Sequence, residues 1–206
     1  MEILYVFLFG LSVGYFVNTY IVCFAKNQYL LLDSNTRQYW YMGILNAMGW
    51  LVVYNIYGFT PRGCTGLFLF SLLLSIALID MEHYLIPNEA VVFLLLSGIT
   101  YHIFESDLTI LNRLLGLSVG LLVPFFIAIL SYGSIGGGDI KLLSTMGFWV
   151  GFPGIIYILI TSSLAGGLFS LILLVLRRKK QKDSIPFAPF LVASFFLIYF
   201  FPGYFV

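Results

Sequence analysis

Charge is what this chain has least of. Only 9% of its 206 residues are Asp, Glu, Lys or Arg, against roughly a quarter in ordinary soluble domains. So few charges cannot coat a globule of this size, and 61% of the residues are hydrophobic. That pairing excludes a water-soluble domain and makes lipid the solvent for most of the surface. A net charge of +1 gives no basic footprint, so no nucleic-acid partner is expected. Cysteine is scarce as well. Cys23 and Cys64 form no CxxC pair and are too few for a disulfide framework. They read as small buried hydrophobes that are not bonded to each other. Zinc-type spacing and the Walker and Rossmann glycine patterns are missing. The longest polar stretches are KNQYLLLDSNTRQ and RRKKQKDS, so the chain reads as a single transmembrane domain over 1–206. Its first stretch has Glu2 in place of a basic n-region and no A-x-A-like cleavage site, and is expected to be a retained membrane helix.

What is present is a series of apolar runs. A membrane helix needs roughly 20 mostly apolar residues. Spans are expected at about 3–24, 39–57, 64–80, 89–104, 109–131, 139–151, 153–176 and 186–203. The fold class expected is therefore an all-α integral membrane protein, a polytopic bundle of about eight helices with a short sixth span. Lys and Arg set its orientation. Arg177, Arg178, Lys179, Lys180 and Lys182 lie between spans seven and eight, and Lys26, Arg37 and Lys141 fall on the same side by parity. Only Arg62 and Arg113 fall opposite, Arg113 being expected to snorkel outward. The basic side is expected to be cytoplasmic, with both termini outward.

Two carboxylates stand out on that side. Asp80 ends the apolar run ALIDMEHYLIPNEAV, and Asp139 opens span six in SIGGGDIKLL. A carboxylate at membrane depth is costly and by default marks function. Two at matching depth on separate helices suggest a pair that activates a water, one taking its proton while the other polarises a carbonyl. On spacing alone, a helix cap and a solvated loop charge remain an equal reading. Gly136, Gly137 and Gly138 are expected to supply positive φ and a close backbone approach. Helix-end position predicts that Asp80, at a C-terminus, holds a shared proton more often than Asp139, at an N-terminus.

These residues resemble a known family. GGGD, from Gly136 to Asp139, is similar to the GxGD motif of intramembrane aspartyl proteases. DMEHYLIPN, from Asp80 to Asn88, resembles the first aspartate motif of type IV prepilin peptidases, with Ile86 and Pro87 at its Ile-Pro positions. IPFAPFLVAS (185–194) is similar to that family's entry into its last helix, and GYFVNTYIV (14–22) to its Gly-x-Phe-x-Asn stretch, with Asn18 at the asparagine.

The resemblance implies a multi-pass peptidase at the cytoplasmic membrane, its active site facing the cytoplasm. It would remove the short basic leader of prepilins or pseudopilins, with Asp80 and Asp139 catalytic. Many members carry an insert with two CxxC pairs that bind zinc, and those members also N-methylate the new terminus. Here that loop is short and has no such pairs. Neither zinc nor S-adenosylmethionine is expected as a cofactor.

Lys141 is a candidate to stabilise the ionised pair, and Glu82, with His83, to meet the leader's positive charge. Both positions also fit interfacial or solvated side chains. The remaining partner expected is membrane lipid. A preflagellin or Tad-type leader peptidase is a near alternative. A proton-coupled transporter with relay carboxylates is an alternative of another class.

Overall fold

The computed structural model describes residues 1–28, 40–105, 108–132, 135–176 and 185–201, and side chains are considered outside 18–28 and 40. The basic block after residue 176 and most of the first loop, including Arg37, lie outside the described residues. Eight helices and no strand are found among them: α1 (Glu2–Gln28), α2 (Trp40–Tyr57), α3 (Pro61–His83), α4 (Asn88–Phe104), α5 (Ile110–Leu130), α6 (Gly137–Val150), α7 (Gly154–Val175) and α8 (Ala188–Phe200). The chain is an all-α, multi-pass membrane protein. Pro61–His83, Ile110–Leu130 and Gly154–Val175 are long and apolar enough to cross a membrane, and Glu2–Val17, Asn88–Phe104 and Ala188–Phe200 are shorter apolar helices.

The ends of α3 show why hydropathy marks a helix too short. The helix starts three residues before the expected span, where the Thr60 hydroxyl caps the Gly63 N–H at 3.1 Å. It ends three residues later, past Asp80, because backbone hydrogen bonding continues where the apolar run stops. α6 has 14 residues, about 21 Å at 1.5 Å per residue, less than the ~30 Å hydrocarbon core.

The chain forms two compact units, Met1–Ser75 and Ile76–Val206. In the first, α1 and α2 approach closely: a Cβ on Gly14 would lie 2.8 Å from the Gly43 Cα. A buried polar chain locks the contact. Trp50 Nε1–H donates to Ser71 Oγ, Ser71 donates to Asn46 Oδ1, and Asn46 Nδ2 donates to the Gly10 carbonyl, each at 2.9 Å. In lipid such interhelical bonds replace the hydrophobic force that water would supply. Cys64 is free and exposed, not buried as expected, because it lies on the outer face of the first turn of α3.

In the second unit α5 and α6 meet backbone to backbone. A Cβ on Gly116 would lie 2.2 Å from the Gly147 carbonyl oxygen, and one on Gly120 2.5 Å from the Leu143 carbonyl oxygen. This is the small-residue packing that lets membrane helices touch without side chains between them. The far end of α6 is clamped from the first turn of α5. Asn112 Nδ2 donates to the Phe152 carbonyl at 2.9 Å, and Phe152 N–H donates to Asn112 Oδ1 at 2.8 Å.

Arg113 does not snorkel outward. It is fully buried and donates to the Phe148 and Trp149 carbonyls at 3.2 Å, with its guanidinium 5.6 Å from the Tyr101 ring centre. Those carbonyls are unpaired acceptors at a helix C-terminus, where a cation is also favoured by the dipole. Arg113 is therefore not among the charges that read orientation. Trp149 extends the anchorage, donating from Nε1 to the Leu94 carbonyl at 2.9 Å and stacking on Tyr101.

Gly116→Leu is expected to destabilise the protein by about 1–3 kcal/mol through overpacking, read as a lower unfolding midpoint in detergent. Gly167→Leu, where a Cβ meets nothing within 4 Å, is the control expected to leave it unchanged. Equal midpoints for the two variants would remove the backbone contact as the basis of α5–α6 packing.

Candidate active site

Asp80 lies one turn before the end of α3 and is 6% exposed. The helix closes at Tyr84, whose N–H donates to the Asp80 carbonyl at 2.9 Å with φ at 53°. That left-handed cap is usually glycine, and a tyrosine there carries about 1–2 kcal/mol of backbone strain. The connector then turns through Leu85 and Ile86 to Pro87, whose extended backbone (φ −62°, ψ 128°) precedes α4. Asp139 is the third residue of α6, half-buried in its first turn.

The two carboxylates open on one cavity of about 280 Å³, lined also by Tyr84, Ile86, Asn88, Gly136, Gly137, Gly138 and Lys141. A cavity of this size holds several waters at roughly 30 Å³ each, or a short piece of extended peptide. The Asp139 Oδ1 is buried and has no hydrogen-bond partner. Asp80 Oδ2 accepts the Ala188 N–H at 2.9 Å. Ala188 is the first residue of α8, so the Asp80 carboxyl lies at the positive end of one helix and the negative end of another. The C-terminus of α3 alone would place the shared proton on Asp80, and the N-terminus of α8 opposes that preference.

Of the two properties expected of the glycines, only the close approach is found. None of Gly136, Gly137 and Gly138 has positive φ; Gly136 is an extended N-cap (φ −67°, ψ 143°), and the other two are already helical. Their use is space. A Cβ on Gly138 would lie 3.1 Å from the Ile86 Cβ, so α6 abuts the connector there. A Cβ on Gly136 would lie 3.1 Å from Asp139 Oδ2, while one on Gly137 meets nothing.

The supporting residues divide. Lys141 lines the cavity, but its ammonium donates to Asn88 Oδ1 at 2.9 Å. Ile86 lines the cavity too, whereas Pro87 shapes the turn behind it. Glu82 is outside the lining and lies 3.8 Å from His83 Nε2. Three contributors were missed. Asn88 stood inside the quoted motif without a role, Tyr84 gave no signal of its left-handed backbone, and the Ala188 N–H is a main-chain group 108 residues from Asp80. Pro186 and Pro189 flank the first residue of α8. Among the described residues, no three His, Cys, Asp or Glu side chains cluster as a metal site would need.

Residues 67–171 match the model of the Type IV leader peptidase family, about half of the chain and including both aspartates. The chain is similar to curated proteins named prepilin leader peptidase/N-methyltransferase. One from Legionella pneumophila is 32% identical over 143 residues, 67% of this chain and 50% of that protein. One from Bacillus subtilis (strain 168) is 32% identical over 129 residues, 63% of this chain and 52% of that protein. One from Aeromonas salmonicida (strain A449) is 30% identical over 127 residues, 59% of this chain and 44% of that protein. The chain thus spans about half the length of the curated relatives it matches. No solved structure matches it significantly.

Gly138→Val is expected to lower stability by about 1–3 kcal/mol as its side chain meets Ile86. Gly137→Ala, projecting into open space within a helix, is expected to hold or raise stability by up to about 1 kcal/mol. Thermal unfolding of both variants in detergent checks the pair, and an equal loss in both would mean that the contact with Ile86 is not what α6 requires of Gly138.

Proposed function

The chain belongs to the Type IV leader peptidase family, and from that premise we propose that it is a membrane aspartyl endopeptidase that removes the leader of prepilins or pseudopilins at the cytoplasmic face. The observation that carries this reading is the shared cavity of Asp80 and Asp139, contributed by different helices. Carboxyls placed this way can hold one water and one proton between them.

In the proposed mechanism the ionised carboxyl takes a proton from the water, and the protonated one donates a hydrogen bond to the scissile carbonyl oxygen. Hydroxide adds to the carbonyl carbon. The proton taken then passes to the leaving nitrogen, the C–N bond breaks, and the pair returns to a single proton. The Ala188 N–H holds Oδ2 of Asp80 and so orients that carboxyl. The leader would enter from the aqueous side, and the apolar segment behind it would stay in lipid.

The cytoplasmic placement rests on the excess of Lys and Arg in the loops on the site's side. The relatives' names pair the peptidase with an N-methyltransferase. For this chain we propose the peptidase alone, with no zinc and no S-adenosylmethionine, because the sequence has no CxxC pairs and two carboxylates need neither for hydrolysis.

Purified protein incubated with a candidate prepilin is expected to shorten it, read by gel shift and mass spectrometry. Asp80→Ala and Asp139→Ala should each lose about 10²–10⁴-fold in rate, the usual contribution of a positioned acid or base. Full activity in either variant removes the dyad. The transporter reading expects no cleavage by wild type and instead proton flux into liposomes that both substitutions stop. In the same cleavage assay, S-adenosylmethionine is expected to leave the product mass unchanged; a gain of one methyl group would overturn the peptidase-only reading.

A further inference from the structure

Lys141 follows Asp139 by two residues and so points around α6 rather than alongside it. A lysine at a lipid–water edge ordinarily extends its stem and leaves its ammonium to water. Here the ammonium is bonded to the side chain of Asn88, the first residue of α4, 53 positions away in sequence. Asn88 ends the connector that begins where the helix of Asp80 stops. One turn back along α6, Gly138 backs onto Ile86 of the same connector, where a Cβ would meet the Ile86 Cβ at a tight 3.1 Å. The hydrogen bond and the glycine contact lie on one seam, between the start of α6 and residues 84–88. Four members of that seam, Ile86, Asn88, Gly138 and Lys141, line the cavity that holds both carboxylates. The strained left-handed backbone of Tyr84 lies in the same connector. Such strain persists only where surrounding contacts hold it.

We propose that Lys141 and Asn88 are a pair of positioning residues, a clasp that fixes the start of α6 against connector 84–88 and so sets the spacing of Asp139 from Asp80. The proposal rests on the peptidase reading for its effect on rate, but not for the clasp itself. Lys141 thus acts through its bond to Asn88, and not only through its charge near the carboxylates. A clasp and a bare charge make opposite demands on Asn88, since a bare charge survives its loss.

The test is a cycle of Asn88→Ala, Lys141→Met, their combination, and the exchanged pair Lys141→Asn with Asn88→Lys. Each variant is first checked for a monodisperse peak in detergent. Each single change is expected to lower kcat by about 10-fold or more at unchanged KM, the range for a hydrogen bond to a charged group. The double variant should be no slower than the slower single one, and the exchanged pair should recover to within a few-fold of wild type. Wild-type kcat in Asn88→Ala, or additive losses, overturns the clasp.

Hydrogen–deuterium exchange over 84–88 and 136–141, without substrate, gives a readout that needs no activity. Exchange should be faster in each single variant and no faster in the double. Exchange equal to wild type in both single variants overturns the clasp whatever the kinetics. Faster exchange in a protein that cuts no leader sustains the clasp while overturning the peptidase reading.

Discussion

A carboxylate held inside a bundle of apolar helices needs a donor, and the hydrogen bond from the Ala188 N–H to Asp80 supplies one. Asp80 is almost fully enclosed. An unpartnered buried polar group costs about 1–3 kcal/mol and more when charged. The first N–H groups of a helix are donors with no intrahelical acceptor, so the start of α8 meets the need without a basic side chain. A lysine or arginine in that place would form an ion pair and occupy the carboxylate. The main-chain donor adds no countercharge, and Asp80 still lines the cavity.

Asp139 is held by a different device, the placement of α6 as a rigid body. Its glycine contacts with α5 bring two backbones together, and Asn112 and Arg113 fix its far end. A buried guanidinium is tolerable only where it is bonded, and two carbonyls at the end of α6 with the face of Tyr101 provide that. The helix is too short to be positioned by the bilayer itself. Its neighbours determine where its first turn, and therefore Asp139, comes to lie. The two carboxylates reach one cavity because α8 holds one of them in place and α5 holds the helix that carries the other.

The sequence made the helices legible because lipid imposes one requirement on every span, about 20 apolar residues with the backbone bonded internally. The ends of α2 and α4 fall within a residue of the expected spans. The ends of α1 and α3 run past them, because hydropathy reports lipid contact and not hydrogen bonding. Arg113 was misread for a related reason: at a span end the same residue can reach water or cap a neighbouring helix, and only the neighbour decides. Of the two properties expected of Gly136, Gly137 and Gly138, positive φ is absent from all three, and the close approach is found at Gly138. A glycine signals either freedom of φ or lack of a Cβ, and the letter alone does not separate them.

From the residues alone came the all-α membrane class, the number and approximate limits of the helices, and Asp80 and Asp139 as the carboxylates to watch. These follow from properties carried by short stretches of chain: hydropathy, turn-forming residues, and charge where charge is expensive. The tertiary structure decided what long-range contacts control. It brought Asn88 to Lys141, turned the start of α8 toward Asp80, and drew Arg113 into the core. Each of these joins groups at least 35 residues apart, and no local pattern encodes which helix end will meet which side chain.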